Sequence, residues 1–309
     1  ADPPKLVALW HQCRLGRGAA EGFTADAFET LVFSQTYFDP AGLIVALDGE
    51  RIVGYVHAGF GTNAEQSALC RERGVICAVM VHPEFRRRGI GRTLVSRAEQ
   101  YLAGRGSTAV LAGPAAPLDP FYIGLYGGSE VSGFLQSDAD ADPFFKAAGY
   151  VPAQKHLIFQ RDNRNRSDPI SIRLVGIRRK MDVLVNDQPD QPTWWWQCRY
   201  GRLDSLVFHL APKGGGTAVA SACVMGLDLF LQKWHERAVG ITDLYVSDIE
   251  RRKGYGQALV SEIARRLRDE MITRLDAHVA EENKPVVDLL HSTGFEQVDA
   301  GIVYRREKA

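Results

Sequence analysis

Apolar positions along the 309-residue chain fall into two kinds of run. Gly74 to Val81 (GVICAVMV) and Val239 to Val246 (VGITDLYV) are continuous, apolar and rich in β-branched residues, which predicts two buried strands. A few residues beyond each, the spacing changes to that of a helix. Leu94, Val95, Ala98, Tyr101 and Leu102 share one face. So do Leu259, Ile263 and Leu267, with Arg265, Arg266 and Arg268 mostly on the opposite, solvated face. Leu43 to His57 reads as strand, Asp-Gly turn, strand, and Thr108 to Ala112 as a further strand. From 170 to 210 the runs are short and β-like, such as Ile170 to Leu174 and Ser205 to Leu210, which predicts a strand-rich opening for the second half of the chain.

The two strand–helix segments are copies of one pattern. VHPEFRRRGIGRTLV from Val81 aligns without a gap on VSDIERRKGYGQALV from Val246, 165 residues on. Arg86 meets Arg251, Gly89 and Gly91 meet Gly254 and Gly256, and Leu94 meets Leu259. An offset near half the chain implies a duplicated domain. The polar, proline-terminated stretch RDNRNRSDP, from Arg161 to Pro169, separates the copies, giving expected domains of 1–162 and 168–309.

Composition narrows the class. Lys plus Arg and Asp plus Glu both number 37, and this neutral balance argues against a dedicated nucleic-acid or membrane-surface binder. Five cysteines, an odd number without Cys-x-x-Cys, argue against a disulfide framework or a zinc site and suit a reducing, cytoplasmic setting. No apolar run approaches the roughly 20 residues of a membrane span. The opening residues lack the pattern of a signal peptide. No metal is implied.

The repeated loop carries the candidate chemistry. Arginines run into Gly-x-Gly at a helix start, where backbone N–H groups lack partners and the helix dipole is positive. Glycine lets a ligand approach the backbone closely, so a pyrophosphate suits the place. The dinucleotide fingerprint fails in both copies, because Leu94 and Leu259 stand where its third glycine belongs. Neither copy ends in the Gly-Lys-Ser/Thr of a triphosphate loop, and no kinase His-Arg-Asp or Asp-Phe-Gly occurs.

What remains, Arg-x-x-Gly-x-Gly a few residues after a strand valine, resembles the acetyl-CoA signature of the GNAT N-acetyltransferase superfamily, and it occurs twice. The hairpin from Leu43 resembles that family's second and third strands. Pro143 to Tyr150 and Asn283 to Phe295 resemble its late helix. The resemblance covers most of the first half, and the second half from about Thr217. It implies an α/β fold with a mixed α+β sheet, built as two tandem GNAT-like acyl-CoA N-acyltransferase domains, similar in architecture to the mycothiol synthases with their unequal halves. The departure lies in residues 170–210, which show no sign of the two amphipathic helices that usually open this fold.

The resemblance also implies acetyl-CoA (coenzyme A) as acyl donor. Met80, Val81, Arg86, Arg87, Arg88, Gly89, Ile90, Gly91, Arg92 and Thr93 would bind it in the first half. Tyr245, Val246, Arg251, Arg252, Lys253, Gly254, Tyr255, Gly256, Gln257, Ala258 and Asn283 would bind it in the second. The arginines would add charge through solvent-facing ends. The acceptor would be a small-molecule amine attacking the thioester directly, in a monomer or weak homodimer without nucleic-acid or membrane partners.

An amine with a pKa of about 10.4 is only about 0.04% neutral at pH 7, so a base must take its proton. Asp243 and Tyr245 share one face of the second strand, whereas the first strand has no carboxylate. Asp243 is therefore the expected base, with a structural hydrogen-bonding role as its alternative, and Tyr245 the second catalytic candidate. The second half is then the expected site of turnover. The family's acid tyrosine is replaced by Phe145 and Leu290, leaving Tyr245, Tyr304 or water for that role. That gap keeps open a non-catalytic acetyl-CoA-binding or sensing protein. Two further features are ambiguous. The Gly- and aromatic-rich insertion from Leu118 to Phe134, with Tyr122, Tyr126 and Glu130, would line a pocket or the domain interface, or pack as a surface loop. Trp194, Trp195 and Trp196 would stack a ligand ring, or fill a core and cover the interface.

Overall fold

The computed structural model describes residues 2–164, 168–169 and 171–306. The linker positions 165–167 and residue 170 lie outside the described residues. The first half opens with α1 (Pro3–Cys13) and α2 (Ala25–Phe28). Next come β1 (Leu43–Asp48), β2 (Arg51–Thr62), β3 (Leu69–Val81), α3 (Ile90–Gly104) and β4 (Ala109–Ala112). After the insertion come β5 (Phe134–Leu135), α4 (Ala141–Ala147) and β6 (Tyr150–Asp162).

The second half runs α5 (Ile172–Lys180), β7 (Met181–Asn186), α6 (Trp194–Tyr200), β8 (Ser205–Pro212) and β9 (Ala220–Gly226). It continues with α7 (Leu231–Trp234), β10 (Ala238–Val246), α8 (Tyr255–Asp269), β11 (Arg274–Ala280), α9 (Lys284–Ser292) and β12 (Glu296–Arg306).

The strand-rich opening expected for residues 170–210 is corrected in part. β8 falls where a strand was expected, but two short helices flank β7. Both are fixed by caps: Ser171 Oγ accepts from Leu174 N, and Thr193 Oγ1 accepts from Trp196 N. The β-like alternation around Leu174 is overridden by a hydroxyl that satisfies a helix-start donor.

One sheet carries both halves, in the order β1-β2-β3-β4-β12-β6-β11-β10-β9-β8-β7, with β5 beside β12. β3 with β4 and β10 with β11 are parallel; the other pairs are antiparallel. The halves exchange their last strands. β6 leaves the first half to pair with β11, and β12 returns from the second half to pair with β4. β6 and β12 pair with each other at the centre, from Gln160↔Glu296 to Tyr150↔Arg306.

Burial matches that topology. One core joins α1, the insertion and the second half, from Trp10 and Tyr122 to Met225 and Phe230. Two others lie under α3 and under α8. Trp195 is 1% exposed and packs against Tyr37 at 5.3 Å, so the tryptophan run closes the junction between the halves. α1 belongs to the shared core, whereas α5 sends Leu174 and Ile177 into the core under α8. The helices that open the two halves thus pack into different cores.

Candidate donor cleft and the acidic junction between the halves

The two glycine loops have the same backbone. His82 and Ser247 both stand at φ −51°, ψ 135°. Arg87 and Arg252 take φ 63° and 62°, Gly89 and Gly254 φ 82° and 92°. Each loop therefore turns its chain into a helix start whose first N–H groups have no intrahelical acceptor. Left-handed backbone costs a side chain about 1–2 kcal/mol, which glycine avoids at 89 and 254.

Around the first loop a cleft of about 720 Å³ stands open. Met80, Val81, Arg87, Gly89 and Gly91 line one side, with Cys13 at the end of α1 and Phe144 of α4 opposite. A Cβ at Gly91 would lie 3.0 Å from Phe144 Cε2, so glycine is needed for the close approach of α4 to α3. Ile90, Arg86 and Arg92 also border the cleft, whereas Arg88 and Thr93 line a separate groove of about 710 Å³ toward β1.

Arg86 is exposed, as expected of the loop arginines, but its guanidinium is also engaged by the protein. Its Nε donates to Val81 O at 3.1 Å, Nη1 to Asp140 at 2.8 Å and Nη2 to Cys13 O at 3.3 Å. It ties β3, α4 and α1 together as a wall of the cleft. Arg251 Nε likewise donates to Val246 O at 3.3 Å. Burial pushes the Cys13 thiol up to about 11, so it stays protonated.

The second loop is covered. Arg173 Cδ of α5 lies 2.8 Å from where a Cβ at Gly254 would stand, and nothing lies within 4 Å of that point at Gly89. Leu289 Cδ1 would be 2.6 Å from a Cβ at Gly256, and Gly256 and Ala258 are buried. Tyr255 packs on the core under α8, Gln257 reaches Ser292 at 3.4 Å, and Lys253 pairs with Glu250 at 3.0 Å. Asn283 caps α9, its carbonyl accepting from Val287 N at 3.1 Å. The insertion of the first half packs against β10 and β11 at the last pair of their ladder, Gly240 with Asp276. A Cβ on Gly240 would collide with Ser129 Cβ, and Asp276 accepts from Ser129 N at 2.9 Å and Ser129 Oγ at 2.7 Å. Ser132 Oγ meets His278 Nδ1 at 2.7 Å beside it.

Asp243 sits on a bulge of β10, at φ 48°, where the ladder slips between Thr242 and Tyr245. Its neighbour is a guanidinium: Asp243 Oδ1 stands 3.7 Å from Arg199 Nη1. Tyr245 is 53% exposed. Arg199 also pairs with Asp119 at 2.7 Å and approaches Glu130 at 3.7 Å, both from the insertion. Burial raises the Asp119 carboxyl to about 6 and the Glu130 carboxyl to about 7, with Arg199 opposing both shifts. Nothing in the sequence separates Arg199 and Asp119 from surface charges, because their meeting depends on two segments 80 residues apart.

The insertion also reaches the first half. Tyr122, at φ 72° and buried, places its hydroxyl 3.1 Å from His57 Nδ1. Burial lowers His57 to about 3. Tyr126 OH accepts from Leu135 N at 3.4 Å. Tyr304 donates to Asp142 at 3.3 Å and stacks on Phe145 at 5.1 Å, so the exchanged strand β12 packs beneath the cleft.

A parallel strand pair that opens beside a glycine loop and helix start, repeated in one mixed sheet, defines a tandem acyl-CoA N-acyltransferase fold. The chain belongs to the acetyltransferase (GNAT) family, whose model matches residues 9–126 and 177–295. Its fold is similar to that of a tandem GNAT protein from the clavulanic acid biosynthesis pathway, at 16% identity and TM-score 0.70, covering 100% of this chain and 96% of that one. A glucosamine N-acetyltransferase region of a fungal multi-domain β-N-acetylglucosaminidase aligns at 15% identity and TM-score 0.71, covering 98% of this chain and 37% of that one. A GCN5-related N-acetyltransferase from Sphaerobacter thermophilus aligns at 16% identity and TM-score 0.58, covering 99% and 92%. A search of curated proteins gives no match. Among the described residues, no helix is long and apolar enough to cross a membrane.

Proposed function

We propose that the chain is an acetyl-CoA-dependent N-acetyltransferase for a primary amine of a small molecule, with the donor held in the first half. One contrast carries this reading. The cleft beside β3 is open at the helix start, while Arg173 takes the corresponding space over Gly254 in the second half. When bound, acetyl-CoA supplies a thioester open to direct attack by the amine.

The chain's own groups fit that guest. The N–H groups of the loop and of the start of α3 suit a pyrophosphate, and the exposed Arg87 and Arg92 add positive charge. On the side of β4, the ladder of β3 ends at Ile76, and Val79 to Val81 border the cleft beyond it. The protonated Cys13 thiol is a poor nucleophile, which favours direct transfer over a covalent acyl-enzyme. Under this reading Asp243 and Tyr245 do not serve a second-half reaction.

The test is release of free thiol from acetyl-CoA across a panel of primary amines. Amine-dependent release supports the transferase. Tight binding of acetyl-CoA with no release for any amine would overturn it in favour of a sensing protein.

A further inference from the structure

The junction between the halves places three carboxylates, Asp119, Glu130 and Asp243, around the single guanidinium of Arg199. Asp119 and Arg199 are buried, with side chains 0% and 6% exposed, whereas Glu130 and Asp243 reach the surface at 15% and 40%. One positive charge cannot neutralise three negative ones, and burying the excess is costly unless a cation or a proton meets it. His278 of β11 lies beside Glu130 and already faces Asp276 at 3.1 Å.

A second, independent feature lies at the same place. Buried polar atoms here lack hydrogen bonds: Asp119 Oδ1, Arg199 Nε, and the hydroxyls of Tyr200 and Thr242. Tyr200 is 1% exposed and lies in the field of Arg199, Asp243 and Glu130. Thr242 is its neighbour, yet neither oxygen reaches bonding geometry. Buried polar groups are almost always satisfied, so several orphans beside an excess of negative charge are a mark of a missing polar guest. Asp243 holds a left-handed backbone at the mouth of this group, a strain of the kind found at ligand sites.

The position relates it to the donor. Leu118 and Phe121, on either side of Asp119, pack on Gly61 and Gly59 of β2, which pairs with β3, the strand whose Val79 and Met80 line the cleft. We propose that the Asp119–Glu130–Asp243 cluster binds an ammonium group, and that the acceptor is a diamine: one amine held as a cation at the junction, the other presented for acetylation. The proposal rests on the transferase reading above for the second part only, since the cation site stands on its own geometry.

The test is a calorimetric titration of the full chain with 1,4-diaminobutane and with longer α,ω-diamines, against butylamine, without acetyl-CoA. Glu130→Gln and Asp243→Asn keep shape and remove charge, and Asn tolerates the left-handed backbone at 243. The expected result is that a diamine binds more tightly than butylamine, and that each variant weakens it roughly tenfold or more while melting as a folded protein. Protons should be released on binding, read from the dependence of the heat on buffer, because an ammonium drives the raised Glu130 carboxyl to ionise. Diamine binding that is absent, or equal in the wild type and both variants, would overturn the proposal and leave the donor cleft untouched. Measured separately, acetyl-CoA binding by both variants should equal that of the wild type, so a failed donor reading shows in that titration.

Discussion

Arg173 lies over Gly254, its Cδ 2.8 Å from where a Cβ would stand, while the equivalent Gly89 faces open space. The same loop, folded to the same angles, is thus covered in one half and open in the other. The cover is α5, and Asp168 shortly before it is held by two ion pairs, with Arg161 at 2.6 Å and with Arg268 of α8 at 3.0 Å.

Gly254→Ala should cost more stability than Gly89→Ala. Both incur about 1–2 kcal/mol for left-handed backbone. Only the first must also displace Arg173, and Ile177 Cδ1 at 3.4 Å limits where it can go. Chemical denaturation of the two variants checks the order.

The exchanged strands make the halves interdependent. Fragments 1–169 and 170–309 expressed apart should aggregate, because β6 and β12 would present unpaired edges. Expressed together, they should co-purify as one folded complex. A soluble, cooperatively melting fragment 1–169 would contradict the exchange.

Arg199→Met should destabilise the chain by about 3–5 kcal/mol at pH 8, since it leaves the buried Asp119 carboxylate without a counter-charge. The loss should shrink at pH 5, where Asp119, raised to about 6, takes up a proton. Urea unfolding at the two pH values reads both.

Stability should fall toward both ends of the pH range, for opposite reasons. Glu130 and Asp119 hold protons in the folded chain up to about 7 and 6. The unfolded chain releases them near the ordinary carboxylate values of about 4. Their contribution is therefore full below pH 4 and lost as pH rises through 6 and 7. His57, lowered to about 3, refuses the proton that the unfolded chain accepts near 6.5, so its contribution is lost as pH falls below that value. Glu130→Gln should gain thermal stability relative to wild type as pH rises from 5 to 8, by on the order of 2 kcal/mol. A difference independent of pH would contradict the assignment.

Much of this architecture is legible in the sequence, because the signals are local. The gapless repeat at 81 and 246 gives the duplicated fold and both helix starts, and the Asp-Gly turn gives β1 and β2. The exchange of β6 and β12 is not legible, because strand pattern gives the face of a strand and not its partner. Asp243 attracts attention as a lone strand carboxylate, but its meaning depends on Arg199, which arrives from a helix opening with three tryptophans. The insertion reads equally as loop or lining until Ser129 and Asp276 are seen together.

The most direct measurement is a calorimetric titration of the chain with acetyl-CoA. One site per chain is expected, abolished by Gly91→Glu, which drives a charged side chain against Phe144 and into the cleft, and unchanged by Arg252→Glu on the covered loop. Two sites, or one site that survives Gly91→Glu in a folded protein, would contradict a single donor cleft in the first half.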